Sequence, residues 1–192
     1  MKKAVRNQIK VELASLSARQ ARDGSAKAAQ RLMELPEFHD ARTIMAYLPI
    51  PGEIDTTSII LKAWQDDKTV LVPKVSWDER HMVAVELTSL DAGLVVAKGL
   101  REPADAMPWP AENIDFVIVP AIAFDRHGHR LGRGGGFYDR FFAQVGLAAT
   151  RCGLAHHLQL MDELPRHGHD QPMDIIVTDV DVLRFDRSGS AD

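Results

Sequence analysis

One segment of this 192-residue chain concentrates side chains and backbone suited to holding an anion: Phe124-Asp125-Arg126-His127-Gly128-His129-Arg130-Leu131-Gly132-Arg133-Gly134-Gly135-Gly136-Phe137-Tyr138-Asp139-Arg140. Four glycines fall in the five positions 132–136. Without Cβ atoms such a loop reaches positive φ and brings backbone N–H groups close to a ligand. Arg130 and Arg133 add planar guanidinium groups that fit phosphate or carboxylate, and Asp139, at the start of the following helix, offers a hard oxygen for a divalent cation. The combination points to a nucleotide polyphosphate with Mg²⁺. No Gly-Lys-Ser/Thr follows, so this is not a Walker A loop. Phe137 stands where a dinucleotide fingerprint needs its third glycine. A plain flexible loop with solvated arginines remains the competing reading at this level.

Other chemistry-bearing residues are scattered. Lys2, Arg6 and Lys10 recur at i, i+4, i+8 with Lys3 beside them, a cationic stripe that reads either as a solvated helix face or as phosphate ligands. Glu53 follows Pro51-Gly52 and is either a turn residue or a ligand contact. Asp170 either caps locally or binds metal. His127-x-His129, His156-His157 and His167-x-His169 have metal-like spacing but no cysteine partner, which argues against zinc. Cys152, the single cysteine, reads as a small core residue. Trp109 and Lys74 are open between ligand contact and structural roles.

The elements that must position these residues follow from periodicity. Val5, Ile9, Leu13 and Leu16 give a helix over Lys3 to Leu16, and Ser17 caps a second helix carried by Ala28, Ala29, Leu32 and Leu35 that stops near Pro36, with Gly24-Ser25 weakening its first half. Strand, helix and strand then alternate as Thr43–Leu48, Thr57–Gln65 and Thr69–Val75, the last ending near Pro73. Further strands are expected at Met82–Leu87, loosely at Leu94–Val96, and at Phe116–Val119, Cys152–Ala155 and Ile175–Thr178. Gly99 to Pro110 reads as a loop and Phe137–Val145 as a helix. Phe116–Val119 is apolar throughout, as in a strand covered on both faces. The expected architecture is a single three-layer α/β/α domain over residues 1–186, with a mostly parallel or mixed central sheet, ligands at the carboxyl ends of its strands, and a disordered tail at 187–192.

Composition sets the outer bounds. Hydrophobic residues make up 45% and charged residues 26%, and 23 Lys and Arg against 27 Asp and Glu leave a net charge of −4. That balance gives no chain-wide footprint for nucleic acid or an anionic membrane, so any anion site is local. The longest apolar run is too short for a bilayer, and the cationic N-terminus lacks an apolar leader stretch. One cysteine fits a reducing compartment, so a cytoplasmic location is expected. A monomer is slightly favoured.

Residue order adds a further step. Val119-Pro120-Ala121 through Phe124-Asp125, Gly128, and Arg130-Leu131-Gly132-Arg133-Gly134-Gly135-Gly136-Phe137-Tyr138-Asp139 resemble the signature block of the 5-formyltetrahydrofolate cyclo-ligases, also called methenyltetrahydrofolate synthetases. Lys2-Lys3-Ala4-Val5-Arg6, Tyr47-Leu48-Pro49, Glu53-Ile54-Asp55-Thr56, Glu102-Pro103, and His169-Asp170 with Asp174 and Thr178 fall in the same family's order.

The resemblance implies a fold similar to that of ribose-phosphate isomerases and CoA transferases. It also implies ATP- and Mg-dependent closure of 5-formyltetrahydrofolate to 5,10-methenyltetrahydrofolate, through phosphorylation of the formyl oxygen and attack by N10. By the family pattern ATP is held by Lys2, Lys3, Arg6 and the run from Arg130 through Leu131, Gly132, Arg133, Gly134, Gly135, Gly136, Phe137 and Tyr138 to Asp139. Magnesium sits at Asp139 and Asp170. Folate contacts fall to Leu48, Glu53, Arg133, Gly134, Gly135, Gly136 and Phe137, and catalytic work to Arg130, Arg133 and Tyr138. Some relatives carry Lys at the position of Gly135 and Tyr at that of Phe137. Rival readings are a sugar-phosphate isomerase on the same fold and a binding protein that has lost turnover.

Overall fold

The computed structural model describes residues 1–104, 106–144, 146–165 and 170–186. The tail at 187–192, His167-x-His169 and Val145 lie outside the described residues. The chain opens with α1 (Lys2–Ala14) and α2 (Ala18–Met33), which starts from a capping box in which the Ser17 and Gln20 side chains each accept the other's backbone N–H. Such a box satisfies two of the orphan donors at a helix start. Gly24 lies within α2 because a Cβ there would stand 2.8 Å from Nδ1 of His156. The close approach offsets the roughly 1 kcal/mol that glycine costs in a helix interior.

A short α3 (Pro36–Asp40) leads into β1 (Thr43–Met45), then α4 (Thr57–Gln65), β2 (Thr69–Ser76) and β3 (His81–Glu86). A hairpin of β4 (Leu94–Ala97) and β5 (Leu100–Pro103) follows. Next come β6 (Phe116–Val119), β7 (Ala123–Asp125), β8 (Arg130–Leu131) and α5 (Phe137–Phe142). The chain closes with β9 (Thr150–Ala155), β10 (Leu160–Met161), β11 (Ile175–Thr178) and β12 (Val182–Arg184).

The large sheet runs β12-β11-β9-β6-β1-β2-β3. Its five inner strands are parallel and both edge strands antiparallel, so the sheet is mixed. Side-chain alternation divides the core. Ile44, Val70, Val72, Phe116, Ile118 and Val177 face one way, toward Ala28, Leu32, Phe38, Ile59 and Ile60 of α2, α3 and α4. Met45, Leu71, Val117, Val119 and Ile176 face the other way, toward Phe141 and Phe142 of α5. A three-stranded sheet, β10-β7-β8, packs Ala123 and Leu131 against Ile9 of α1. Burial on both faces is why these strands read as continuous apolar runs.

Several boundaries differ from expectation, three of them for a local reason that the contacts show. β1 stops at Met45, because the chain then turns away: Thr56 Oγ1 donates to the Tyr47 carbonyl at 2.6 Å and Tyr47 Oη to the Ile54 carbonyl at 3.0 Å. β2 continues through Pro73 to Ser76. Leu71 bonds β1 and Val70 bonds the β3 side, so the missing N–H of Pro73 points toward β1, which has already ended, and proline is tolerated. Part of the expected Gly99–Pro110 loop is strand β5, joined to β4 by Lys98-Gly99, both at positive φ (48° and 83°), the geometry of a two-residue hairpin turn. α5 ends at Phe142 rather than Val145.

Candidate functional site

The glycine loop is placed by its neighbours. β6 delivers the chain to the β7–β8 hairpin, whose turn is organised by Asp125. This buried carboxylate accepts from the backbone N–H groups of His127 (2.9 Å), His129 (2.8 Å) and Leu164 (3.0 Å) and lies 3.1 Å from Nδ1 of His129. The first histidine pair therefore contains a turn brace. β8 ends at Leu131, the glycines follow, and Gly136 enters α5 in the left-handed conformation (φ 65°). Gly134 has φ 111°, a backbone that side-chain-bearing residues avoid.

α1 lies over this loop. Arg6 donates from Nε to the Gly132 carbonyl at 2.9 Å, and its guanidinium would stand 3.7 Å from a Cβ on Gly134. Lys2 pairs with Asp170 at 2.8 Å. Lys3 and Lys10 are exposed, so the cationic stripe divides: Arg6 reaches the loop and Lys2 the Asp170 segment, while the other two face solvent. Arg130 pairs with Asp139 at 2.7 Å, and Asp139 Oδ1 also accepts from the backbone N–H of Gln171 at 3.3 Å. That bond sets Asp139 beside the residue next to Asp170. The segment carrying Asp170 therefore meets Asp139, and each of these two carboxylates pairs with a cation.

Glu53 arrives from the segment after β1. Its Oε2 accepts from Ile50 N (3.2 Å) and its Oε1 from Arg133 (3.1 Å). Burial raises the Glu53 pKa above its ordinary value, and the bonds to Ile50 and Arg133 oppose the rise. Leu48 is buried nearby in the chain, and the Leu131 side chain is buried against Ile9, so Leu131 can meet a ligand only through its backbone. The Tyr138 hydroxyl is buried and has no hydrogen-bond partner among the described residues. Arg130 lies over its ring at 5.4 Å. Burial also pushes the Tyr138 pKa upward, so the hydroxyl is a neutral donor. An unmatched buried donor is costly, and Nε of Arg130 is unmatched too.

Other assignments resolve structurally. Cys152 is fully buried and burial pushes its thiol pKa up, as expected of a core residue. His156 is buried, which lowers its pKa. No group of three or more His, Cys, Asp or Glu among the described residues is arranged to hold a metal ion. Lys74 donates to the Ala104 carbonyl at 2.7 Å, a tie between β2 and the segment after β5. Sequence reasoning missed Trp77 and Arg140. The Trp77 ring meets Phe137 edge to face at 5.3 Å, and Arg140 bonds the Gly135 carbonyl at 2.6 Å. Trp77 had only its place just after β2 to mark it, and Arg140 its closeness to the glycines.

A parallel-centred α/β sheet flanked by helices, with an arginine-bearing glycine loop between β8 and α5, belongs to the class of α/β folds that commonly hold small-molecule ligands in such loops. The chain matches the model of the 5-formyltetrahydrofolate cyclo-ligase family over residues 1–179. It is 31% identical over 170 residues to the 5-formyltetrahydrofolate cyclo-ligase of Escherichia coli, covering 85% of this chain and 92% of that one. To the enzyme of the same name from Mycolicibacterium smegmatis it is 34% identical over 164 residues, covering 82% and 83%. The solved 5,10-methenyltetrahydrofolate synthetase of Aquifex aeolicus superimposes with a TM-score of 0.84 at 32% identity, covering 100% of this chain and 96% of that one. The chain belongs to the 5-formyltetrahydrofolate cyclo-ligase family, and it is an enzyme of folate metabolism.

Proposed function

We propose that this chain closes 5-formyltetrahydrofolate to 5,10-methenyltetrahydrofolate at the expense of ATP, with residues 1–186 acting as one ATP- and folate-binding unit of the ribose-phosphate isomerase and CoA transferase type. The γ-phosphoryl group passes to the formyl oxygen, releasing ADP. N10 then attacks the activated carbon, the C–O bond breaks with loss of phosphate, and the N10 proton leaves to solvent. The formyl oxygen of an amide is a poor leaving group until phosphorylated, so the protein's work is positioning and charge neutralisation, with no side-chain nucleophile.

The observation that supports this reading is the Arg6 bond to the Gly132 carbonyl, which ties the N-terminal helix to the glycine loop and sets the Arg6 guanidinium beside Gly134. Arg6, Lys2 and Lys3 would take the polyphosphate. Arg130, Arg133 and Tyr138 would meet the transferring phosphoryl group, with the unmatched Tyr138 hydroxyl supplying a ready donor. Asp139 and Asp170 suit Mg²⁺, which characteristically takes one or two carboxylates and completes its shell with phosphate and water. Bound there, Mg²⁺ would neutralise phosphoryl charge. Lys2 and Arg130, which pair these carboxylates in the free protein, would be released toward phosphate. Glu53 and Leu48 would receive the pteridine, whose N–H donors suit a buried carboxylate.

Among the described residues no helix is long and apolar enough to cross a membrane. The reading takes small molecules as the only partners, with neither nucleic acid nor membrane, in the cytoplasm, and leaves the oligomeric state open with a monomer slightly favoured. The test is turnover: purified protein with Mg·ATP and 5-formyltetrahydrofolate should form the methenyl chromophore with equimolar ADP. Chromophore without ATP, or ADP without chromophore, defeats the reading. A sugar-phosphate isomerase would need no ATP.

A further inference from the structure

We propose that Lys98, held against Trp77 at the tips of two hairpins, binds the glutamyl tail carboxylates of the folate substrate. The inference rests on the folate reading above and assigns residues to the substrate's outer end.

The geometry is a column of contacts running outward from the glycine loop. A Cβ on Gly135 would stand 2.5 Å from Cε2 of Phe137, so the Phe137 ring folds back over the loop. Trp77, just beyond β2, meets that ring edge to face at 5.3 Å and 80°. The Lys98 ammonium lies over the Trp77 ring, 5.0 Å from its centroid. A ring face attracts a cation, so Trp77 holds an otherwise flexible side chain in place. Lys98 has no carboxylate within ion-pair distance among the described residues, and its backbone adopts a left-handed conformation (φ 48°) in the β4–β5 turn. Arg80, in the facing β2–β3 turn, is likewise left-handed (φ 54°), and its carbonyl accepts from Arg140 at 2.5 Å. Three exposed cations, Lys98, Arg80 and Arg140, therefore lie around Trp77 and Phe137. The opposing acids are Asp78 and Glu79 of the β2–β3 turn, and Glu79 lies 3.4 Å from Nδ1 of His81.

Charge fixes the direction in which a folate would lie. On the folate reading Glu53, paired with Arg133, accepts pteridine N–H groups, which leaves the tail running outward from it. The cations on the α1 side, Lys2 and Arg6, serve the polyphosphate, and two anions of this kind need separate partners. Outward from Arg133, which pairs with Glu53, the order is Gly135, Phe137, Trp77 and Lys98. An aromatic wall ending in an ammonium fits an aryl group ending in carboxylates.

The experiment is equilibrium binding without ATP, followed by tryptophan fluorescence, with three ligands: 5-formyltetrahydrofolate, its triglutamate, and the tail-less 5-formyltetrahydropteroate. Lys98→Met keeps the stem and removes the charge, and Lys98→Glu reverses it. In Lys98→Met the affinity advantage of the glutamate-bearing ligand over the tail-less one should shrink about threefold to fivefold, the scale of one exposed ion pair. Lys98→Glu should shrink it further, and more for the triglutamate. The same advantage in wild type and both variants, or none in wild type, overturns the proposal. Turnover of 5-formyltetrahydrofolate with ATP, measured in parallel, decides the functional reading separately: an active wild type with an unmoved advantage refutes the Lys98 assignment alone.

Discussion

Asp139→Asn tests a consequence that the residue's sequence position does not reveal. In the free protein its carboxylate is the ion-pair partner of Arg130 at 2.7 Å, with the Arg130 side chain 6% exposed and that of Asp139 20% exposed. Removing one member of a fully buried pair costs about 3–5 kcal/mol because the other charge is left uncompensated. Asp139 is partly solvated and asparagine keeps a hydrogen-bonding oxygen, so about 2 kcal/mol is expected here. At roughly 2–4 °C per kcal/mol for a chain of this size, the melting temperature should fall by about 4–8 °C. Thermal unfolding of Asp139→Asn, Arg130→Gln and the double variant gives the coupling directly: the double should cost less than the sum of the singles by about 2 kcal/mol. Mg²⁺ titration of ADP release separates the metal role. Arg130→Gln retains the carboxylate and should need Mg²⁺ as wild type does, whereas Asp139→Asn should need several-fold more. Additive stabilities would refute the ion pair in solution, and an unchanged Mg²⁺ requirement in Asp139→Asn would refute the metal ligand.

Two further outcomes follow from buried groups. The folded-state pKa of Glu53 is raised above its ordinary value of 4.5, so the folded chain holds this proton more tightly than the unfolded one, and wild type loses stability as pH rises through the raised value. Glu53→Gln removes that loss: urea midpoints of the two proteins should lie closest below the ordinary carboxyl pKa and separate in glutamine's favour toward neutrality. A separation that instead grows toward acid pH would show that Glu53 is not penalised by burial. Tyr138→Phe deletes an unmatched buried hydroxyl, so the variant should melt at or above wild type, gaining up to about 1 kcal/mol, while kcat falls. A clear loss of stability would mean that the hydroxyl is bonded in the free protein.

Periodicity located the elements because burial enforces it. Thr57–Gln65, Phe116–Val119 and Ile175–Thr178 match their expected bounds, since both faces of the strands and one face of the helix are fixed by local pattern. The small strands β7, β8 and β10 escaped notice because two or three residues carry no period. β2 runs past Pro73 only because β1 ends early on that side, and the single sequence does not state which neighbour a strand edge meets. The glycine loop and its arginines were legible as an anion site from residue type alone, since glycine's missing Cβ and arginine's permanent charge are properties of the residue. Their partners were not. That Arg6 would close on Gly132 across 126 positions, that Arg133 would reach Glu53, that Asp139 would hold Arg130, and that Lys98 would settle over Trp77 depend on how α1 and the two hairpin tips pack beside the sheet. Pair energies fall steeply with distance and solvent exposure, so the sequence set which groups were available, and tertiary packing decided which of them came close enough to interact.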